Sequence, residues 1–245
     1  MLKPDYIVSD AHLGAVPAET EREFLRFLEH AGANAASLLI NGDLFDFWFE
    51  WGPVIPARHY RVLATLAAIV EAGVPITMIG GNHDAWGGRF LSEQVGIRLH
   101  QGILRATLGG RAALIAHGDG LGKGDIKYRA LKTVLRSRLA IWGFRALHPE
   151  IGVRIAEYVS KTDADHDRGS KLRTEFLAHW ASEQLAGDAR LNLVICGHSH
   201  EPLLMEMGAG RYYVNSGDWV RHRSYVTIAD GSLPRLHEWR THPSR

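Results

Sequence analysis

Five short blocks of this chain bring together side chains that bind metal ions or move protons. They are Asp10-Ala11-His12, Asn41-Gly42-Asp43-Leu44-Phe45-Asp46, Gly80-Gly81-Asn82-His83-Asp84, Ala116-His117-Gly118-Asp119 and Cys196-Gly197-His198-Ser199-His200. Asp10, His12, Asp43, Asn82, His117, His198 and His200 supply carboxylate oxygen, amide oxygen and imidazole nitrogen. That donor mixture suits Mn²⁺, Fe²⁺ or Zn²⁺ better than thiolate-preferring ions, and seven donors exceed the needs of one tetrahedral ion. Two metals are therefore expected. A carboxylate can bridge them, and the short Gly42-Asp43 turn would let Asp43 reach the middle. Two divalent ions about 3.5–4 Å apart can hold a hydroxide between them and clamp both oxygens of an in-line phosphoryl displacement. The chemistry expected is hydrolysis of a phosphate ester or anhydride.

Each block follows an apolar run, the first after the single residue Ser9: Tyr6-Ile7-Val8, Leu38-Leu39-Ile40, Ile76-Thr77-Met78-Ile79, Ala113-Leu114-Ile115 and Leu193-Val194-Ile195. Such runs read as buried strands. In α/β sheets ligands bind where the chain leaves the carboxyl ends of strands, which is where all five blocks fall. Helical patterns lie between the first three runs, over Glu21 to His30 and Ala57 to Ala72. The steps from Asp10 to Asp43, Asn82 and His117 are 33, 39 and 35 residues, each suited to a strand, a helix and two loops. The fold class is α/β. Tyr212-Tyr213-Val214 and Tyr225-Val226-Thr227-Ile228, with no helix between them, predict antiparallel additions. The step from His117 to His198 is 81 residues, so about one further unit is inserted. Residues 121–187 are helical in pattern and read as a lid on a core of residues 1–120 and 188–245.

Composition narrows the partners. Among 245 residues, 28 Lys and Arg against 27 Asp and Glu give a net charge of +1, so no global basic field points to nucleic acid. The single cysteine, Cys196, excludes an internal disulfide and a cysteine-built zinc site. No run approaches the roughly 18 apolar residues of a spanning helix, and the N-terminus carries no signal-peptide pattern, so a cytoplasmic protein is expected. The charge is uneven, however. Between Leu121 and Arg145, seven basic residues face one acid, a local +6, interleaved with Ile126, Leu131, Val134, Leu135, Leu139, Ile141, Trp142 and Phe144. This basic amphipathic pattern suits an anionic membrane surface.

Taken in order from residue 10 to residue 200, the five blocks resemble the calcineurin-like metallophosphoesterase superfamily. The resemblance implies a four-layer α/β/β/α sandwich of two mixed sheets. It implies one metal on Asp10, His12, Asp43 and His200 and the other on Asp43, Asn82, His117 and His198. It also implies that His83 faces the scissile phosphate as transition-state stabiliser or acid, oriented by Asp46, while Asp84 holds the loop. The Asp43-Leu44-Phe45-Asp46-Phe47-Trp48 run, the His117-Gly118-Asp119-Gly120 block and the size of the lid are similar to the narrower UDP-2,3-diacylglucosamine pyrophosphatase family. That resemblance implies a Mn²⁺ enzyme releasing UMP and lipid X from a nucleotide-linked glycolipid at the cytoplasmic face of the inner membrane. Asn82, His83, Asp125, Lys171 and His198 would contact the substrate, although many members of that family carry Arg at the position of His83. Two other readings stay open: the same centre acting on a soluble nucleotide, dinucleoside polyphosphate or phosphoprotein, and a phosphoesterase fold retained as a binding module. The full set of ligands speaks against the last.

Overall fold

The computed structural model describes residues 3–121, 133–164 and 170–240. Two mixed sheets face one another. In the first, the order is β11-β10-β1-β2-β3-β4, built from β1 (Asp5–Val8), β2 (Ser37–Asn41), β3 (Ile76–Gly80), β4 (Arg98–Gln101), β10 (Ser224–Ile228) and β11 (Arg235–Glu238). In the second it is β5-β6-β7-β9-β8, from β5 (Leu104–Leu108), β6 (Arg111–Ile115), β7 (Leu193–Cys196), β8 (Pro202–Glu206) and β9 (Tyr212–Ser216).

Alternation along the strands builds the layers. Ile7, Leu39 and Ile79 meet Ile115, Leu193, Ile195 and Val214 between the sheets. Their neighbours Tyr6, Val8, Leu38, Ile40 and Met78 face outward, onto α1 (Ala18–Asn34) and α2 (Tyr60–Glu71) through Phe24, Phe27, Leu28, Leu63 and Leu66. On the other side Val194, Cys196 and Tyr213 face α5 (Ser170–Gly187), whose Leu177, Ala181 and Leu185 recur every four residues on one stripe. The result is helix, sheet, sheet, helix, with both inner faces apolar. Each fully buried Ile or Leu in these layers contributes about 1.5–3 kcal/mol.

Among the described residues, all seven interior strands coincide with the apolar runs of the sequence. Four strands escape that reading, and they are the four edges: β4, β5, β8 and β11. Arg98, Arg105, Glu206, Arg235 and Glu238 lie on them, the charges that protect an open edge and also break the apolar run. The two C-terminal runs also need correction. β10 is antiparallel to β1 as expected, but β9 lies in the other sheet, parallel to β7 and antiparallel to β8.

Between β6 and β7 the described residues are mainly helical. α3 (Arg138–Arg145) and α4 (Pro149–Ala164) seat Ile141, Phe144, Val153 and Ala156 on Phe47, Phe49 and Trp51, with Trp86 beside them. The Phe144 ring lies 4.8 Å from Phe49 and 4.9 Å from Trp86 by centroid. The aromatic run after Asp46 is thus the seat of the insertion.

Candidate metal centre

The loops following β1, β2, β3, β6 and β7 converge on one side of the sandwich. Main-chain hydrogen bonds zip the first two together: Asp10 N to Gly42 O, His12 N to Asp43 O and Leu13 N to Leu44 O, each 3.0 Å. Gly197 N donates to His117 O at 2.8 Å, joining the last two. Asp84 ties the second loop to the third: its carboxylate accepts from Gly81 N at 2.9 Å, Leu44 N at 2.7 Å and Asp43 N at 3.3 Å. Burial and the neighbouring Asp43 push the Asp84 pKa up to about 6 in spite of these bonds.

Two close approaches require glycine. At Gly42, φ is +87° and a Cβ would lie 2.3 Å from His117 Nδ1. At Gly81 a Cβ would lie 2.0 Å from Asp43 Oδ1. Asp10, His12, Asp43, His198 and His200 themselves have φ between 44° and 65°, a left-handed conformation costing L-residues about 1–2 kcal/mol each.

These turns aim donors at two points. Asp10, His12 and His200 offer ligand atoms within 4.8 Å of one another, and so do Asp43, His117 and His198. His200 Nε2 is 3.4 Å from Asp10 Oδ1 and 3.3 Å from His12 Nε2. Asp43 Oδ2 lies between the groups, 3.2 Å from His117 Nε2 and 4.0 Å from His12 Nε2. Among the described residues, His117 Nε2 and Asn82 Oδ1 are buried without a hydrogen-bond partner. A buried donor or acceptor left so is costly, and a cation held by the Asp43, His117 and His198 cluster would satisfy His117 Nε2. The residues present fit a divalent metal pair.

Their electrostatics fit as well. Burial opposes the Asp43 charge, but His117, His83 and His12 outweigh it and hold this carboxyl well below the usual range. Burial also opposes charge on His117 and His200; Asp43 raises the first well above an ordinary imidazole, and Asp218 with Asp10 raises the second. His198, by contrast, is driven well below by burial and by His117, which leaves it neutral. The carboxylates are thus balanced by imidazole protons that divalent cations can displace.

The far nitrogens of the ligands are held too. His117 Nδ1 is 2.8 Å from Asn41 O and His200 Nδ1 is 3.2 Å from Asp218 Oδ2. Such partners fix the tautomer and leave Nε2 toward the cluster, as a metal ligand would need. Sequence reasoning missed Asp218, which is fully buried and also accepts from Arg221 N, His222 N and His222 Nδ1 at 3.0, 2.9 and 3.1 Å. It follows the β9 run just as the ligands follow theirs, so the same strand-end rule would have flagged it.

His83 shares a third cluster with His12 and Asp43. Its Nδ1 donates to the main-chain O of Asp46 at 2.8 Å, whereas the Asp46 carboxylate is 3.6 Å away. The hydrogen bond orienting His83 therefore comes from the Asp46 backbone rather than its acid. Burial disfavours its charge, but Asp43, the Asp46 carbonyl and the Asp46 and Asp84 carboxylates raise its pKa above the ordinary imidazole value. Lys171 lies exposed in the first turn of α5, and Asp125 lies outside the described residues.

Residues 6–202 match the family model for calcineurin-like phosphoesterases. UDP-2,3-diacylglucosamine hydrolases from Porphyromonas gingivalis and Azotobacter vinelandii are each 29% identical to this chain, covering 93% and 92% of it and 94% of their own lengths. The Vibrio vulnificus relative of the same name is 27% identical over 91% of this chain and 93% of its own. Among solved structures, a dimetal phosphatase from Danio rerio superposes with a TM-score of 0.49 at 8% identity, over 97% of this chain and 99% of that one. Since the family match takes in all five of these loops, the chain belongs to the calcineurin-like phosphoesterases and is a metal-dependent hydrolase.

Proposed function

We propose that this chain is a Mn²⁺-dependent hydrolase of UDP-2,3-diacylglucosamine, cleaving its diphosphate to UMP and 2,3-diacylglucosamine 1-phosphate (lipid X). The observation that carries the reading is that the similarity to hydrolases of that name extends over more than nine-tenths of both chains, insertion included. Asp10, His12, Asp43 and His200 would hold one ion and Asp43, Asn82, His117 and His198 the other. When bound, such a pair supplies Lewis-acid charge at phosphorus and an activated water.

The chain's own residues do the rest. His83, its Nδ1 bound to Asp46 O, keeps Nε2 for the substrate, and its raised pKa favours the protonated form that can stabilise a phosphoryl oxygen or protonate the departing one. Asp84 keeps that loop in register with Asp43. Asp125 and Lys171 are taken as further substrate contacts.

The insertion, residues 121–187, supports a lipid-like substrate. Leu139 and Trp142 on α3 are 76% and 69% exposed, beside Arg138 and Arg145. No helix among the described residues is long and apolar enough to cross a membrane. The insertion is therefore read as a lid that shelters acyl chains and rests on the anionic cytoplasmic face of the inner membrane.

The test compares hydrolysis of UDP-2,3-diacylglucosamine, bis-p-nitrophenyl phosphate and dinucleotides by the Mn²⁺-loaded chain. UMP release from the glycolipid with the highest kcat/KM is expected. Inertness to the glycolipid with turnover of a soluble nucleotide would overturn the substrate assignment and leave the phosphoesterase intact.

A further inference from the structure

We propose that Arg136 is a positioning residue that couples the helical insertion to the loop presenting Asn82. Its side chain is 24% exposed, and its Nη2 donates to the main-chain O of Gly81 at 3.0 Å. The same nitrogen lies 3.9 Å from Asp119 Oδ2, two residues beyond His117. One guanidinium thus bridges the loops of two ligands assigned to the same metal. The preceding residue adds a second tie, because Leu135 O accepts from Trp86 Nε1 at 3.1 Å. Two consecutive residues of the insertion therefore grip the segment 81–86 at both ends.

The gripped peptide has little freedom of its own. The Gly81 Cα is wedged on Asp43, and its N–H is bound to Asp84 Oδ1 at 2.9 Å. Its carbonyl is the remaining handle, and the insertion holds it. A shift of that peptide moves Asn82, whose Oδ1 is buried with no hydrogen-bond partner among the described residues and which is proposed above as a metal ligand. A cation bound through Asn82 orders the segment from one side and Arg136 orders it from the other. Two events that order the same segment strengthen each other by the same factor, whichever occurs first. Metal binding thus tightens the docking of α3 and α4, and their docking tightens the metal site. This inference rests on the metal-centre reading above.

The test is hydrogen–deuterium exchange of the full chain with and without Mn²⁺. In the wild type, Mn²⁺ slows exchange both in residues 80–86 and in α3 and α4, the latter by roughly tenfold. In Arg136→Met the loop remains slowed by Mn²⁺, but the insertion shows less than about a twofold effect; Arg136→Lys restores part of it. Trp86→Phe keeps the ring and removes the second tie, so it weakens the transfer by itself and serves should Arg136→Met fail to fold. Slowing confined to the loop in the wild type, or an undiminished effect on the insertion in Arg136→Met, would overturn the coupling. No slowing anywhere with Mn²⁺ would overturn the metal centre and the coupling with it.

Discussion

Gly81→Ala adds one methyl group at the most crowded point of the centre. The new Cβ would stand 2.0 Å from Asp43 Oδ1, 2.6 Å from Asp43 N and 2.8 Å from its Cγ, whereas side chains essentially never come under 3.0 Å. Relief requires about 1 Å of movement. Asp43 cannot give way by rotating: its Oδ1 accepts from His83 N at 2.9 Å and its N–H is held by Asp84. Either the Asp43 carboxylate or the loop carrying Asn82 and His83 must shift, at about 1–3 kcal/mol of overpacking. A 1 Å misplacement of reacting groups costs about 100-fold in rate, so kcat should fall at least that far, with less than two metals retained per chain. Elemental analysis, thermal melting and turnover of bis-p-nitrophenyl phosphate measure the three quantities. Gly143→Ala is the control, since its Cβ in α3 meets none of the described residues within 4 Å and should stabilise the helix by up to about 1 kcal/mol. Full metal content and wild-type turnover in Gly81→Ala would refute the packing argument.

His83→Ala should lose turnover by about 100-fold or more while keeping both metals, whereas Asp43→Ala should lose metal as well; an active His83→Ala enzyme would remove the proposed acid. Asp218→Ala, which frees His200 Nδ1, should weaken Mn²⁺ binding by calorimetry about 10–100-fold, and Asp218→Asn should recover much of the loss; unchanged affinity in both would leave Asp218 without its orienting role. His59 is buried against Phe45 and Trp48, and burial, with Arg58, pushes its pKa down to about 3. Because the folded pKa lies below the unfolded value, the unfolded chain takes up the proton first as pH falls. This residue's contribution to stability is therefore complete above about pH 6.5 and is lost progressively down to about pH 3, roughly 2 kcal/mol by pH 5. Urea unfolding at pH 7 and pH 5 should show that loss reduced in His59→Leu; an identical pH dependence would contradict it.

The convergence of the candidate donors was legible because each follows an apolar run, and interior strands such as β2 and β7 are apolar on both faces. The edge strands were not: Arg98-Leu99-His100-Gln101 reads as polar chain because one side of β4 has no strand to pair with. Orientation by main chain was also invisible, since nothing in a side-chain sequence says that Asn41 O holds His117 or that Asp46 O holds His83. The helical character of residues 170–187 was readable, but not that Leu177, Ala181 and Leu185 would cover the second sheet. That depends on Val194 and Tyr213, remote in sequence and brought opposite only by the pairing of β7 with β9.

The left-handed backbone at Asp10, His12, Asp43, His198 and His200 gives the family a sequence-level mark of disuse. At these five positions glycine is conformationally easier than the residue present, so selection for metal binding and selection for folding pull against one another. A descendant relieved of catalysis would shed that backbone cost with a drift to glycine or asparagine, although at Asp43 the change to glycine would also remove the acceptor of His83 N. Histidine and aspartate persisting there, against the preference of the backbone, are what continued use of the centre would leave behind.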